Sequence, residues 1–515
     1  MSTHWIADAD RATAWANYAW PDFGSSVIDD HALAILPVYG MADHGLGLPL
    51  DAEEVLGSTV LNRAVSLLPE GTTVRVMPPL RFVLGPYPSC TFGIDPDTAR
   101  AVVLELAQGV RAAGFHKLVF FTTSPWNTEF VDATSRDVRT VEALQTFVAN
   151  LNQLGLSFHP ASEERARAQS AVAKRLGETP RPSGRPSPVR ADPDFRPGNW
   201  QTPHPLPPGP PVDGTFFARQ AGDRLAALLL EMIVRPPVSG GTRKAGLGLK
   251  TPVDPDLLHS TPVYPEAFRS RYLPAMTKED WARLPDRSRA WVIIPTGSIE
   301  QHGPHLPVGV DSILGQAWVT QTVSLFPAGA PIYVAPPLTY GKSTEHAGFP
   351  GTLSLSGPSF RRLLLAIAQE LKNAGFRQIA VLNSHGGNSA VLVYTLRELQ
   401  TALDLRIGML GQPYKPDVTA TEAEHGFHAG EWETSLMLAV AGDLVRMEKA
   451  VSEYPGRRDE DRSLRFNDGP AFVSWLTSDI SESGVIGDAK AATVEKGRRW
   501  LERGAAALAR KINQL

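Results

Sequence analysis

The sequence predicts an α/β fold arranged as two similar domains in tandem. Short apolar runs rich in β-branched residues, such as Val292-Ile293-Ile294, are typical of buried strands. A helical pattern over residues 360–375 leads to a second such run, Ile379-Ala380-Val381-Leu382. The first half of the chain repeats this framework, and a period of this length predicts two similar domains rather than a solenoid.

Residues that suit a metal follow the first of these strands. Pro295 and Gly297 are expected to end the strand, and Glu300 and His302 lie two positions apart, so on an extended segment both point to one face. Asp311 follows a Pro/Gly-rich turn that could fold it back. Two carboxylates and an imidazole suit a divalent ion such as Zn, Mn or Fe. The segment reads VIIPTGSIEQHGPHLPVGVD.

Two later stretches add to this set. His385 lies in NSHGGN directly after the second strand, where glycines let backbone approach a ligand. In HAGEWETS, His428 precedes a predicted helix and Glu433 lies inside it. One of these two is expected to act as an acid or base and the other as a metal ligand.

Four blocks, EQHGPHLPVGVD, STEHAGFPGTLSL, NSHGGN and HAGEWETS, occur in this order and resemble those of the creatininase (creatinine amidohydrolase) family. The resemblance covers residues 264–515, about half of the chain. It implies three-layer α/β/α domains with mainly parallel sheets and one or two divalent metal ions (Zn, Mn or Fe). It also implies hydrolysis of a carbon–nitrogen bond in a small cyclic or linear amide.

The resemblance also implies roles for individual residues. Creatininase itself carries a glutamate ligand where this chain has Gly387, so Glu433 is the candidate for that ligand place. His428 is the candidate proton donor to the leaving nitrogen. By motif position the metal ligands are Glu300, His302, Asp311 as the bridge, and His385.

Three further residues are predicted to contact substrate. His305 and His346 lie inside the family blocks, and the alternative for each is that it holds a ligand carboxylate or braces a loop. Trp432 could wall the pocket or stack on a planar substrate, and the alternative is helix packing.

The first half retains the framework but not the ligands. A lone His44 with Glu53 cannot complete a site for an ion that wants at least three protein ligands, so this domain is predicted to be degenerate. In the alternative alignment, Asp43 and Asp51 would build a different site. The segment Ala221-Gly222-Asp223 is expected to open a helix, as the segment at Ala429 does. The block-by-block alignment pairs Glu300 with Ala42, His302 with His44, Asp311 with Glu53, His385 with Ser124, His428 with Gln220 and Glu433 with Leu225.

We predict a degenerate domain over residues 1–234, a Gly/Pro-rich linker over 235–262 and a catalytic domain over 263–515. Residues 178–214 form an insertion in the first domain, rich in proline and arginine with few aliphatic residues, and therefore extended. It is either a disordered loop or an arm over a neighbouring subunit or the active site. We also expect the two domains to pack as a pseudo-twofold pair.

Composition excludes several classes of protein. A formal net charge of −4 argues against a nucleic-acid partner, and a single cysteine indicates a reducing compartment, so a cytoplasmic location is expected. No apolar run approaches bilayer length. The resemblance implies a small-molecule amide substrate and a homo-oligomer. The alternative is a non-catalytic binding or assembly protein on this fold, and family relatives act on lactam-like rings, formamides, peptide termini and a cyclic keto-sugar.

Overall fold

The computed structural model shows two α/β domains in tandem, each with a parallel sheet between layers of helices, which confirms the predicted fold class. Most of the predicted insertion and part of the linker lie outside the described residues, so the domain boundaries remain predictions. The structure describes residues 11–45, 47–85, 90–177, 213–236, 242–251, 264–411, 414–454, 464–465, 471–472 and 474–514.

The N-terminal domain alternates strands and helices along most of its length. Its strands are β1 (Leu33–Tyr39), β2 (Val74–Val76), β3 (Leu80–Arg81), β4 (Val83–Leu84), β5 (Gly93–Ile94), β6 (Lys117–Thr122) and β7 (Gln145–Asn150). Its helices are α1 (Ala52–Ser66), α2 (Pro96–Ala112), α3 (Thr128–Glu142), α4 (Arg165–Arg175) and α5 (Gly214–Val234).

The main sheet of this domain has the parallel order β2-β1-β6-β7, and β3 pairs with the end of β1. Alternate residues of β1 face opposite layers, as the strand period of two requires. Leu33, Ile35 and Tyr39 pack with α1, α4 and α5, whereas Ala34 and Leu36 pack with α2 and α3. The sheet is therefore the middle of three layers.

The C-terminal domain repeats the arrangement with the parallel sheet β9-β8-β10-β11. Helices α8, α12 and α14 pack together on one side, and α9 and α10 on the other. The strands are β8 (Trp291–Thr296), β9 (Ile332–Val334), β10 (Gln378–Asn383), β11 (Arg406–Leu410), β12 (Ser452–Glu453), β13 (Leu464–Arg465), β14 (Ala471–Phe472) and β15 (Gly487–Asp488). The helices are α6 (Glu266–Arg269), α7 (Lys278–Arg283), α8 (Val310–Ser324), α9 (Gly357–Asn373), α10 (Ser389–Leu403), α11 (Ala420–His425), α12 (Glu431–Ala441), α13 (Thr477–Ile480) and α14 (Val494–Gln514).

Two boundaries differ from those predicted. Strand β8 continues through Pro295, whose carbonyl accepts a hydrogen bond from the Leu338 amide at 2.9 Å. Helix α5 begins at Gly214 rather than at Ala221, because the Asp213 side chain caps its first turn by accepting from the Thr215 amide at 3.1 Å. The prediction rested on analogy with the second half and overlooked this capping residue.

The domains pack against each other with matching contacts, which agrees with the expected pseudo-twofold pair. Ala14 bridges to Val76 at the edge of the first sheet, and residues 258 positions later, Tyr272 and Val334, form the same bridge in the second. One apolar cluster runs from the α2 side of the first domain into the core of the second. The domains therefore form a single packed unit across this face.

None of the helices in the described part of the chain combines the length and apolar character needed to span a bilayer.

Candidate metal centre

The predicted ligands meet at the carboxyl edge of the second sheet. Glu300 and His302 lie in the loop after β8, Asp311 in the first turn of α8, and His385 directly after β10. Because β8 and β10 are parallel neighbours, their ends deliver these side chains to one place. The loop is fixed from within, since the Glu300 amide donates to the Val308 carbonyl at 2.9 Å.

Distances among these side chains are short. His385 Nδ1 lies 3.2 Å from Glu300 Oε1 and 3.1 Å from Asp311 Oδ2. His302 Nε2 lies 3.5 Å from Asp311 Oδ1 and 4.0 Å from Glu300 Oε1. The structure thus brings together all four residues predicted as ligands from motif position, and all four are buried.

Two of the buried polar atoms fit a cation. Glu300 Oε2 and His302 Nε2 have no hydrogen-bond partner among the described residues, although burying such an atom without a partner is costly. Both belong to side chains that bind divalent ions of the zinc type. Glu300, His302 and Asp311 also form one of the groups whose ligand atoms are close enough to share an ion.

His428, Glu433 and His346 lie against the same cluster. His346 Nε2 is 3.3 Å and His428 Nδ1 is 4.0 Å from Glu300 Oε1, while Glu433 Oε2 is 3.9 Å from His302 Nε2. Two further groups close enough to share an ion are Glu300, His346 and His428, and His302, His428 and Glu433. His346, predicted as a substrate contact, is therefore also placed as a metal ligand would be.

The charges of the cluster shift its pKa values strongly. Burial would raise the pKa of Glu300, yet His346 and His385 hold it well below its usual value. Burial would lower the pKa of His302, but Asp311 and Glu433 raise it to about 9. Burial would also lower the pKa of His385, but Glu300 and Asp311 raise it well above its usual value. These histidines therefore bind protons that a divalent ion would displace.

The pKa values of Glu433 and His428 shift in the directions that burial favours. Burial raises the pKa of Glu433 to about 7, with a further contribution from Asp311. Burial, together with His346 and His302, holds the pKa of His428 well below its usual value. His428 Nε2 lies 2.9 Å from the Gln301 carbonyl. If that nitrogen carries the proton, Nδ1 is the one free to accept a proton or bind an ion.

The other two predicted substrate contacts lie in positions that favour their alternatives. His305 is fully buried, and its Nε2 lies 2.9 Å from Thr434 Oγ1, as expected for a brace behind His302. Trp432 packs between Trp318 and Trp500, with ring centroids 6.3 and 5.2 Å away, as expected for helix packing. A substrate role for either remains a prediction.

Three residues in the site were missed by the sequence analysis. The Gln301 side-chain amide lies 2.9 Å from His346 Nδ1 and 3.1 Å from His428 Nε2, so it holds both rings. Ser298 donates to Asp311 Oδ2 at 2.6 Å. Glu345 lies with one oxygen 3.7 Å from His385 Nε2. Each lies inside or beside a recognised block, within two residues of a predicted site residue, and that proximity was the available signal.

Glu345 also accounts for the glycine at position 387. A side chain added at Gly387 would collide with Glu345 Oε1. Lys342 donates to the other oxygen of Glu345 at 3.0 Å, which fixes this carboxylate. The Glu345 carboxylate, which comes from another loop, therefore occupies the space that a side chain at position 387 would need.

The equivalent place in the N-terminal domain is closed. Glu53 accepts from the Gly40 amide at 2.8 Å, and its other oxygen lies 3.0 Å from His44 Nε2. Phe158 stacks on the His44 ring at 4.3 Å, and Gln169 donates to the His44 carbonyl at 2.7 Å. In the described part of this domain no group of side chains is arranged for an ion. The longer Glu53 side chain and its pairing with His44 fill the space.

The alternative site is not assembled either. Asp43 accepts from the Gly45 amide at 2.9 Å and lies 3.7 Å from Lys278 Nζ, whereas Asp51 is buried beside Glu54 and Arg81. Of the other aligned residues, Leu225 lies in the apolar core and Gln220 in the middle of α5. The two aspartates therefore belong to different environments.

Comparison with known proteins decides the family. The family model for creatininase (creatinine amidohydrolase) matches residues 16–178 and 274–512, more than half of the chain and parts of both domains. The chain belongs to the creatininase family. The match to two regions is consistent with tandem domains of the family fold, and the family relatives are hydrolases, which makes this protein a hydrolase.

Relatives in the creatininase family have diverse named activities. The mycofactocin precursor peptide peptidase of Mycolicibacterium smegmatis is 34% identical over 210 residues, which are 40% of this chain and 78% of the relative. The creatinine amidohydrolase of Pseudomonas putida is 31% identical (41% and 84% covered), and the 3-dehydro-scyllo-inosose hydrolase of Thermotoga maritima is 28% identical (41% and 73% covered). A solved creatininase in its Mn form is 28% identical, with a TM-score of 0.39 and coverage of 47% and 97%.

Proposed function

We propose that the C-terminal domain is a metal-dependent amidohydrolase that cleaves a carbon–nitrogen bond of a small amide. The observation that carries this proposal is the buried cluster of Glu300, His302, Asp311 and His385, in which Glu300 Oε2 and His302 Nε2 have no hydrogen-bond partner among the described residues. The ion would be Zn, Mn or Fe, for which this set of carboxylates and imidazoles is suitable.

The residues of the chain divide the remaining work. A bound divalent ion would supply a water of lowered pKa and would polarise the amide carbonyl. His428, neutral because of its lowered pKa, takes a proton from the attacking water through Nδ1 and then donates it to the leaving nitrogen, which leaves poorly unless protonated. The Gln301 backbone carbonyl, 2.9 Å from His428 Nε2, accepts a hydrogen bond from that nitrogen and holds the ring with Nδ1 free. Glu433, whose Oε2 accepts from the Ala429 amide at 2.6 Å, fills the remaining ligand place.

Two substitutions test these assignments. His428→Ala should keep the metal and lower kcat by about 10² to 10⁴, the usual contribution of one acid or base. Glu433→Ala should loosen at least one ion, with activity partly restored by added metal. Metal content by elemental analysis and kcat are measured on both. Loss of metal from His428→Ala alongside its retention in Glu433→Ala would show that His428 is the ligand.

The substrate class can be identified by assaying the kinds of substrate on which family relatives act. The panel consists of a peptide with a scissile terminal amide, a formamide, a creatinine-like ring and a cyclic keto-sugar. Turnover of one amide that stops with chelator and returns with added Mn²⁺ or Zn²⁺ supports the proposal. Turnover that is unaffected by metal removal contradicts it. A homo-oligomer and a cytoplasmic location remain predictions.

A further inference from the structure

A segment of the degenerate domain crosses onto the metal-bearing domain. We name residues 14–23 the N-terminal strap. It starts on its own sheet, where Ala14 bridges to Val76. It then leaves that sheet, and its backbone accepts hydrogen bonds from the other domain: Ala16 O from the Gly309 amide at 3.0 Å and Tyr18 O from the Val308 amide at 2.8 Å. These two donors lie two and three residues before Asp311.

The strap also holds the loop that faces Glu300. The buried indole of Trp15 donates to the Gly351 carbonyl at 2.9 Å. Two residues later, the Leu353 amide donates to the Ile299 carbonyl at 2.8 Å, and Ile299 precedes Glu300 in the chain. The position of Glu300 is thus linked to the strap through one short loop.

A third loop is held through Trp20. Its indole donates to the Ser483 carbonyl at 3.0 Å, and its ring packs edge-on against Phe349 at 5.3 Å. The neighbouring Gly484 carbonyl accepts from the Gln301 side chain at 3.0 Å, and Gln301 holds His346 and His428. The strap therefore contacts three loops beside Glu300, at residues 308–309, 349–351 and 483.

A second strap provides an internal comparison. Residues 272–281 leave the second sheet in the same way, and the carbonyls of Pro274 and Met276 accept from the amides of Asp51 and Leu50 at 2.9 and 3.0 Å. This strap covers the closed site of the degenerate domain, so the same geometry there supports packing alone.

We propose that the N-terminal strap is a positioning element of the metal centre, through which the degenerate domain sets the metal affinity of its neighbour. This inference rests on the metal site proposed above. Ligands bind a cation tightly only when they are held in place beforehand, and the strap supplies that constraint to the loops carrying Glu300 and Asp311. Loosening the strap should weaken metal binding without removing a ligand.

The test uses the full chain stripped of metal and titrated calorimetrically with Mn²⁺. The double variant Trp15→Phe/Trp20→Phe keeps a smaller aromatic ring at each position and loses both indole hydrogen bonds, and its Kd should rise about ten-fold or more. The matched control is Trp281→Phe, which loses the bond from its indole to Leu273 O (2.9 Å) in the second strap. Its Kd should change less than about two-fold, although urea unfolding should show a loss of stability. Equal changes in the two Kd values, or none, would overturn the inference.

Two additions keep the outcomes distinct. Asp22→Asn weakens the pair between Asp22 and Arg446 (2.8 Å) more gently, so it replaces the double variant if that one does not fold, and it should also raise the Kd. Hydrogen exchange at the amides of Val308 and Gly309 measures directly how well their hydrogen bonds to the strap are held, and it needs no metal. If the wild type binds none of Mn²⁺, Zn²⁺ and Fe²⁺, the proposed function fails. In that case, faster exchange in the variant retains the strap as a positioning element, and unchanged exchange overturns it.

Discussion

Metal affinity should rise steeply with pH, because the ligand cluster binds protons that the ion must displace. His302 has a pKa of about 9 and Glu433 one of about 7. Between about pH 6 and pH 8, easier removal of the His302 proton accounts for about a 100-fold rise in metal affinity, and removal of the Glu433 proton for about a ten-fold rise. Together they predict an increase of about a thousand-fold, and His385, whose pKa is also raised, adds to it.

Competition with a chelator for Mn²⁺ across this pH range measures the effect after correction for the chelator's own protonation. Calorimetry in buffers of different ionisation enthalpy counts the protons released. Glu433→Gln is the control, because it should lower the slope below pH 7 by up to about one proton per ion. An affinity that changes less than about ten-fold, or that falls with pH, would refute the assigned protonation of the cluster.

Three further predictions concern packing. Gly387→Glu should weaken metal binding, because the added side chain would meet Glu345 Oε1, His385 Nε2 and the Lys342 carbonyl. Adding Glu345→Gly, which removes only the first of these contacts, should restore part of the binding, as elemental analysis would show. Arg81→Met should cost about 3–5 kcal/mol in urea unfolding, because it leaves the buried Glu54 charge without its 2.7 Å partner, and adding Glu54→Gln should recover much of this. Lys117→Met should cost about 1–3 kcal/mol, because the Lys117 ammonium donates to carbonyls at the end of α5; equal stability of variant and wild type would contradict this.

The sequence predicted the parts of the site that lie next to regular structure. Glu300, His302 and His385 follow buried strands, and the parallel sheet brings the ends of those strands together. The strands themselves are apolar runs whose pattern is readable. The degenerate character of the first domain was also predictable, since Ala42 and Ser124 cannot bind as the residues they replace.

The parts that could not be predicted depend on irregular segments. Glu345 and Gln301 are placed by loops that fold back, and no periodicity in the sequence records that path. Two of the strap contacts are hydrogen bonds that the backbone carbonyls of Ala16 and Tyr18 accept, and such bonds carry no residue signature. Helix α5 was misplaced for the opposite reason, because Asp213 gave a local signal that analogy with the other half overrode.

The crossing of the two straps imposes an order on folding. The degenerate domain is synthesised first, but its contacts at Leu50 and Asp51 require residues 272–281, which belong to the next domain. The C-terminal domain, in contrast, emerges when residues 14–23 are already available. Domains usually fold as they emerge from the ribosome, N-terminal first. In this protein the first domain gains its contacts with residues 272–281 only after these have been synthesised, so its packing is completed after the second domain has begun to emerge.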